Sequence, residues 1–206
     1  MNLAHRPTKI LVTGKSGSGK STFASRFLLN VDARVRFIYD HQGEFSLRFK
    51  VAPAVDAEGI ARQLASGWVF FDPSRMFPGK SSEGWDFFCD FVFEVSQQTP
   101  GRKLLFCDEL QMLMSRSTLP DEFASVLETG RRYELDLLLV AQQVNLLNNR
   151  VRNQLTEIVS FTQTDRTALD WLEDSGFDPG VLRSLPAGQY VDRRLSLGLE
   201  ESGRVF

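Results

Sequence analysis

Cysteine and histidine are scarce in this chain of 206 residues. The two cysteines, Cys89 and Cys107, stand in the apolar runs DFFCDF and LLFCDE, and we expect both to be buried, reduced thiols. The two histidines, His5 and His41, complete no spacing that is typical of a zinc site. This scarcity argues against a disulfide scaffold and against a structural zinc module, and it favours a reducing, cytosol-like compartment.

Long apolar runs and an excess of positive charge are also missing. No stretch approaches the roughly 18 apolar residues of a membrane-spanning helix, and the N-terminus has no signal-peptide core. The formal net charge is −2, so the chain is not a generally basic nucleic-acid coat. Any nucleic acid must therefore be bound locally, and the 18 arginines against 6 lysines favour forked contacts to phosphates.

Apolar runs alternate with helix-like stretches along the chain, without an internal repeat or a low-complexity linker. The length and the 42% hydrophobic content suit one domain covering residues 1–206. Several strands are almost entirely apolar, which is typical of strands that are covered on both faces. The sequence therefore predicts an α/β fold with a mostly parallel central sheet flanked by helices, closed by antiparallel strands near the C-terminus.

The boundaries of these elements follow from the same pattern. The predicted strands are Lys9–Thr13, Val35–Asp40, Trp68–Asp72, Lys103–Asp108, Asp136–Ala141 and Glu157–Thr162. The predicted helices cover approximately residues 20–30, 55–66, 84–98, 119–133, 146–155 and 165–175. The tail at residues 188–206 is interpreted as one or two closing strands joined by a turn.

The segment KILVTGKSGSGKST at residues 9–22 leads from an apolar strand through glycines and serines into a helix. It matches G-x-x-x-x-G-K-[ST], the phosphate-binding P-loop. Glycines let consecutive backbone N–H groups turn toward an anion, and the following helix points its positive end at the same place. The alternative is a Gly/Ser-rich turn. The predicted nucleotide-binding residues are Gly14, Lys15, Ser16, Gly17, Ser18, Gly19, Lys20, Ser21 and Thr22.

Two acids, Asp108 and Glu109, directly follow the apolar run KLLFC at residues 103–107. Asp108 would hold Mg²⁺ together with the Ser21 hydroxyl, and Glu109 would orient or deprotonate an attacking water. Ligands of open α/β sheets collect at the carboxyl ends of the strands, where both acids are expected. The alternative is a buried strand that ends in two solvated acids. A glutamate next to the metal-binding acid favours hydrolysis over phosphoryl transfer to a small metabolite.

Two amides and two arginines complete the set of candidate residues. Gln142 and Gln143 end an apolar strand, and an amide between the first two strands of the site would sense the γ-phosphate. The alternative is a polar strand cap.

Arg131 and Arg132 end the preceding helix, where a guanidinium would reach the ATP of a neighbouring subunit as an arginine finger. The alternative is an exposed pair that stabilises the helix C-terminus.

Taken in order, four segments resemble the FtsK/HerA superfamily of P-loop ATPases: GKSGSGKS, DHQGEF, LLFCDE and GRRYELDLLLVAQ. The segment DHQGEF looks like the D-x-x-G-E segment of HerA-type motors, and the resemblance extends from about residue 9 to residue 165. A motor of this length is most similar to the genome-packaging ATPases of tailless phages with an internal membrane and of related archaeal viruses. The resemblance implies a RecA-like fold and a hexameric ring that translocates DNA.

The resemblance also implies roles for individual residues. Lys20 and Ser21 would bind phosphate and Mg²⁺, with ATP as the nucleotide, Asp108 would bind the metal and Glu109 would be the catalytic base.

In the same pattern Gln142 is the sensor and Arg131 is the finger, while the ungapped spacing leaves Gln143 and Arg132 as the less favoured choices. At Ala141 the sequence departs from the family pattern, because relatives often have Thr there.

The partners implied by the resemblance are non-sequence-specific DNA, further copies of the chain, and a capsid vertex or membrane protein. The expected location is the host cytoplasm, with association with the virion. DNA contacts require local positive charge. Three segments supply it, with ordinary solvated connections as the alternative: residues 72–82, 111–120 and 148–153.

Two other functions remain open at this stage. One is an assembly, secretion or conjugation-type motor that keeps the ATPase chemistry but acts on another substrate. The other is a non-motor nucleotide switch or small-molecule kinase, in which Glu109 plays no part and no arginine acts between subunits.

Overall fold

The computed structural model describes residues 8–206, so His5 lies outside the described part. The strands in this range are β1 (Lys9–Thr13), β2 (Val35–Tyr39), β3 (Trp68–Phe71), β4 (Lys103–Cys107), β5 (Leu135–Ala141), β6 (Glu157–Phe161), β7 (Gln189–Arg194) and β8 (Leu199–Arg204). The helices are α1 (Lys20–Asn30), α2 (Glu44–Phe49), α3 (Ala57–Leu64), α4 (Ser81–Gln98), α5 (Asp121–Thr129), α6 (Asn149–Gln154), α7 (Arg166–Asp174) and α8 (Pro179–Ser184).

All eight strands belong to one sheet in the order β3-β2-β4-β5-β1-β6-β7-β8. The first six are parallel neighbours, and the antiparallel pairs β6–β7 and β7–β8 close one side. Strand β5 lies between β1 and β4, as the predicted position of its terminal amides requires. The predicted α/β class with a mostly parallel sheet and antiparallel C-terminal strands is therefore confirmed.

Two apolar layers cover the two faces of the sheet. On one face, α1 and α2 pack with β7 through a cluster that includes Phe45, Phe161 and Val205. On the other face, Trp85 of α4 and Phe123 of α5 lead a larger cluster, with ring centroids 5.1 Å apart. Because both faces are covered, β4 and β5 are buried along their whole length, which explains their nearly continuous apolar sequences.

The two cysteines lie in this larger cluster. Cys89 and Cys107 are fully buried and unpaired, as predicted, and burial raises the pKa of both thiols well above the ordinary value. They therefore behave as small apolar side chains rather than as reactive groups.

The predicted elements agree with the structure except in three places. Helix α5 ends at Thr129, and a 3₁₀ helix (Gly130–Tyr133) completes the stretch that was predicted as one helix over 119–133. Helices α2 and α8 were not predicted. Both have only six residues, which is too short for apolar periodicity to show.

Across residues 8–206, no helix has both the length and the apolar composition that crossing a membrane requires.

A half-buried acidic pair lies where the antiparallel strands join the sheet. Glu157 of β6 stands opposite Arg194 of β7, and Asp192 lies two residues before it. Burial raises the pKa of Glu157 to about 7; the charge of Asp192 acts in the same direction and the charge of Arg194 opposes it. Glu201 of β8 adds a further negative charge. Glu157 is therefore partly protonated near neutral pH.

This shift predicts a pH-dependent stability. Between pH 4.5 and about 7 the folded chain holds a proton on Glu157 that the unfolded chain has lost, so the free energy of unfolding falls as pH rises through this window. Since the side chain is partly solvated, we expect a loss of about 1 kcal/mol. Glu157→Gln should remove this loss, measured by urea unfolding at pH 5 and pH 8.

The matched control is Glu200→Gln, which changes an exposed acid on β8 that is not among the charges acting on Glu157. It should keep the pH dependence of the wild type. If Glu157→Gln and the wild type lose the same free energy between pH 5 and pH 8, the raised pKa is wrong.

Candidate functional site

The P-loop connects the carboxyl end of β1 to α1. Gly14 (φ 143°) and Gly19 (φ 118°) adopt backbone conformations that strain other residues. A side chain at position 14 would also collide, because its Cβ would lie 2.7 Å from Cβ of Phe161. Lys20, the first residue of α1, donates from Nζ to the carbonyl oxygens of Gly14 and Lys15 at 2.9 and 3.0 Å. The loop is thus wound tightly around the ammonium group.

Lys20 is the positive centre of the site. Burial lowers its pKa, and the negative charges of Glu109, Asp108 and Glu44 oppose that effect. These three carboxylates come from the ends of β4 and β2, so the sheet brings them to the lysine from distant parts of the sequence. The predicted P-loop lysine and the predicted acidic pair therefore lie in one electrostatic cluster.

A cavity of about 340 Å³ opens over the P-loop. Its walls are formed by Ser16, Gly17, Gly19, Lys20, Ser21, Thr22, Glu44, Arg48 and Phe206. Six of the nine predicted nucleotide-binding residues line it. Gly14 and Ser18 are buried beneath the loop, whereas the Lys15 side chain is exposed.

The acidic pair occupies a sharp turn after β4. The Asp108 carboxylate accepts a hydrogen bond from the backbone N–H of Glu109 at 2.8 Å. Burial raises the pKa of Asp108 to about 6, while this hydrogen bond and the Lys20 charge favour the ionised form. Glu109 has φ 47°, a left-handed conformation that few residues other than glycine adopt. Such strain is stored at functional sites when surrounding contacts impose it.

Two amides hold the Glu109 carboxylate. Gln142, directly after β5, donates from Nε2 to Oε1, and Gln111 donates from Nε2 to Oε2. Gln143, by contrast, is exposed and precedes a 3₁₀ helix (Val144–Leu146). The structure therefore brings Gln142, and not Gln143, to the acidic pair.

Three residues of the cavity wall were not among the predicted site residues. Glu44 and Arg48 come from α2, whose first turn is fixed by Asp40: its carboxylate accepts from the backbone N–H groups of Phe45 and Ser46 at 3.1 and 2.6 Å. The DHQGEF segment carried the signal for Glu44. Phe206 gave no signal in the sequence, because only the strand order brings it near the P-loop.

Arg131 and Arg132 lie at the other edge of the sheet. They precede the amino end of β5, whereas the P-loop follows the carboxyl end of the parallel neighbour β1. Seven residues of β5 separate the two edges by about 20 Å. Between residues 8 and 206, no hydrogen bond or ion pair uses either guanidinium. Neither arginine can therefore reach the phosphate site of its own chain.

Arg131 lines a second cavity of about 510 Å³ together with Glu157 and Arg194. The Arg131 side chain is exposed at this amino edge of the sheet.

The three segments predicted to contact DNA begin at or near the carboxyl edge. In residues 72–82, Arg75 pairs with Asp56 at 3.6 Å and Lys80 with Glu83 at 2.9 Å, all on exposed side chains. Residues 148–153 lie largely in α6, in agreement with the helix predicted over 146–155. Within them, Arg150 pairs with Glu128.

The third segment, residues 111–120, is tied to the segment after β5. Arg116 donates from Nε to the carbonyl of Asn145, and Asn148 donates from Nδ2 to the carbonyl of Arg116 at 3.0 Å. Gln111, which holds Glu109, begins this same segment. Residues 111–120 are thus connected to the acidic pair at one end and to the segment after β5 at the other.

The donors around the cavity suit Mg²⁺. The Ser21 hydroxyl and the Asp108 carboxylate are hard oxygen ligands, the type that Mg²⁺ prefers. In the part of the chain that the structure describes, no three His, Cys, Asp or Glu side chains form a metal-binding group. Mg²⁺ is usually held by one or two protein oxygens together with substrate phosphates and water, so Ser21 and Asp108 would be its protein ligands.

Sequence comparison detects no matching protein family and no curated relative. Solved structures do match. The genome packaging NTPase B204 from Sulfolobus turreted icosahedral virus 2, in complex with AMPPCP, superposes with a TM-score of 0.72 at 18% identity over 96% of this chain and 97% of that one. B204 from Sulfolobus turreted icosahedral virus, described as the DNA-packaging ATPase, superposes with a TM-score of 0.71 at 18% identity over 97% of this chain and 98% of that chain.

Two cellular proteins are also similar. VirB4 of Thermoanaerobacter pseudethanolicus gives a TM-score of 0.68 at 11% identity over 96% of this chain and 89% of that chain. EccC of Thermomonospora curvata (ATPases 2 and 3, in complex with a signal sequence peptide) gives a TM-score of 0.63 at 12% identity over 96% of this chain and 36% of that chain. The chain therefore shares its fold with these proteins, in agreement with the resemblance of the four sequence segments to FtsK/HerA-type P-loop ATPases.

Proposed function

We propose that this chain is an ATPase that uses hydrolysis to translocate DNA, and that it packages a viral genome into a preformed capsid. The observation that carries the proposal is the Glu109 carboxylate, held by Gln142 beside Asp108 and the Lys20 ammonium group. A base next to a metal-binding acid and a phosphate loop is the arrangement for activating water against a γ-phosphate.

The P-loop binds the nucleotide. Its inward N–H groups and the N-terminus of α1 hold the phosphate chain, and Lys20 exchanges its loop carbonyls for β- and γ-phosphate oxygens. Ser21 and Asp108 hold Mg²⁺, which, when bound, neutralises charge that develops on the phosphates.

Glu109 is the base that orients the attacking water and accepts its proton. The Gln142 amide has two N–H donors, so it contacts Glu109 with one and has a second for the γ-phosphate. Gln142 thus links the base to the state of the nucleotide.

The opposite-edge position of Arg131 supports a ring. Since the arginine lies about 20 Å from the phosphates of its own chain, a catalytic role requires a neighbouring copy. A head-to-tail contact that places one subunit's amino edge against the next subunit's P-loop closes into a cyclic assembly. We infer that the chain forms a hexameric ring, in which Arg131 is the arginine finger that reaches the ATP of the neighbouring subunit.

DNA is proposed as the substrate because the fold matches the DNA-packaging ATPase B204 over nearly the whole of both chains. Contacts with DNA would be to phosphates and independent of sequence. The link between residues 111–120 and Glu109 gives a path from DNA contact to hydrolysis. A capsid vertex or membrane protein is the proposed docking partner, and the host cytoplasm, with virion association, is the proposed location.

A second candidate is a motor that acts on a protein. It is favoured by one observation, the similarity to EccC, which was solved with a signal sequence peptide. The two functions share the ATPase site and differ in which polymer stimulates turnover.

The first test is ATP hydrolysis measured against protein concentration, with double-stranded, single-stranded or no DNA. The specific activity should rise steeply with protein concentration, because each site needs a neighbour, and DNA should raise it further. Glu109→Gln is the blank and should lose about 10²–10⁴ in rate.

Hydrolysis that is linear in protein and indifferent to DNA would contradict a DNA translocase and favour a switch or kinase. Stimulation by a protein client in place of DNA would favour the second candidate.

A mixing experiment tests the finger. Arg131→Ala and Glu109→Gln subunits should each be inactive, and a 1:1 mixture should recover up to about a quarter of wild-type activity, because random mixing joins the two intact residues at one interface in four. Arg132→Ala is the matched control and should retain activity alone. Absence of recovery at every mixing ratio would contradict a finger acting between subunits.

The sensor is tested by Gln142→Ala with Gln143→Ala as its exposed neighbour control. Loss of the Gln142 amide should lower kcat by about 10²-fold, the cost of removing one donor to the reacting groups, with little change in KM. Gln143→Ala should behave as wild type. Steady-state ATP hydrolysis measures both constants, and equal effects in the two variants would show that Gln142 has no special role.

A further inference from the structure

We infer that Phe206 forms a stacking platform for the base of the bound nucleotide. The inference rests on the proposed nucleotide site. It assigns the base to the end of the cavity that lies away from the acidic pair. Phe206 lines the same cavity as the P-loop, and 57% of its surface is exposed.

The order of the strands fixes which part of the nucleotide meets Phe206. From β1, the acidic pair lies on the side of β5 and β4, whereas Phe206 follows β8 on the side of β6 and β7. The γ-phosphate must face Glu109, because the base and the water act there. The nucleotide therefore extends from the acidic side toward the side of β8, and its base reaches the Phe206 wall.

The backbone around Phe206 is fixed to the P-loop itself. Gly188 donates its N–H to the carbonyl of Ser18 at 2.9 Å, and Val205 donates to the carbonyl of Gly188, also at 2.9 Å. The side chain of Val205 covers Gly19, where a Cβ would lie 3.0 Å from a Val205 methyl. Phe206 therefore directly follows a residue whose backbone is tied to the phosphate loop through Gly188.

Three neighbouring atoms of the Phe206 ring pack over Gly188, and more than half of the residue surface is exposed. Gly188 has φ 82°, and a Cβ there would lie 2.6 Å from the Phe206 ring, so only glycine lets the ring pack so closely. Arg204 donates from Nε to the backbone oxygen of Phe206, which further restrains the residue. The exposed face of a phenyl ring held in this way is a surface on which a planar base stacks.

Stacking sets the expected selectivity. Every nucleobase has a π-face, so this contact stabilises a bound nucleoside triphosphate without distinguishing adenine from guanine by hydrogen bonds. The site would hold the triphosphate and the base of one nucleotide at opposite ends of one cavity.

The test compares two Mg²⁺-bound ligands by calorimetric titration of the full chain: AMPPCP, which has a base, and inorganic tripolyphosphate, which does not. Phe206→Ala should weaken AMPPCP binding by about tenfold or more and leave tripolyphosphate binding unchanged. Phe206→Trp should retain AMPPCP affinity, and GMPPCP should behave like AMPPCP. Leu29→Ala is the control, since it truncates a similarly exposed apolar residue at the far end of α1.

The outcomes separate the inference from the proposed function. Wild-type AMPPCP affinity in Phe206→Ala, or an equal loss for both ligands, would overturn the stacking platform while leaving the nucleotide site in place. Failure of the wild type to bind either ligand would overturn the proposed function together with the inference.

Discussion

The parallel pairing of β1, β5 and β4 is the constraint on which the site depends. Three neighbouring parallel strands end at one edge, so the P-loop, Gln142 and the acidic pair meet although they lie far apart along the chain. Because both faces of these strands are buried, a register shift would disrupt the packing on both faces and draw the polar residues at the strand ends into the core. The alignment of the site is therefore protected by the stability of the core.

Charge is balanced locally at that edge. One buried ammonium group, on Lys20, faces the carboxylates of Asp108, Glu109 and Glu44, and it is also satisfied by carbonyl oxygens of its own loop. Amides rather than a second cation hold the Glu109 carboxylate, so the base is positioned without being neutralised by an ion pair. A triphosphate with Mg²⁺ adds both signs of charge to such a cluster, which lets it enter without leaving an unpaired ion.

The same parallel sheet separates functions between its two edges. The residues proposed to contact phosphate lie at the carboxyl edge, whereas Arg131 lies at the amino edge with Arg194 and Glu157. The proposed catalytic set is therefore divided between the two edges of one chain. In the proposed ring, assembly rather than a conformational change within one subunit would complete the site.

The sequence alone determined the elements with strong local patterns. Glycine spacing marked the P-loop, continuous apolar runs marked β4 and β5, and the acids and amides at their ends marked the site, since each signal arises within a few neighbouring residues. The tertiary structure decided what depends on packing between distant segments. It selected Gln142 over Gln143, revealed the six-residue helix that carries Glu44, placed Arg131 out of reach of its own P-loop and brought Phe206 beside it, because strand order has no local signature.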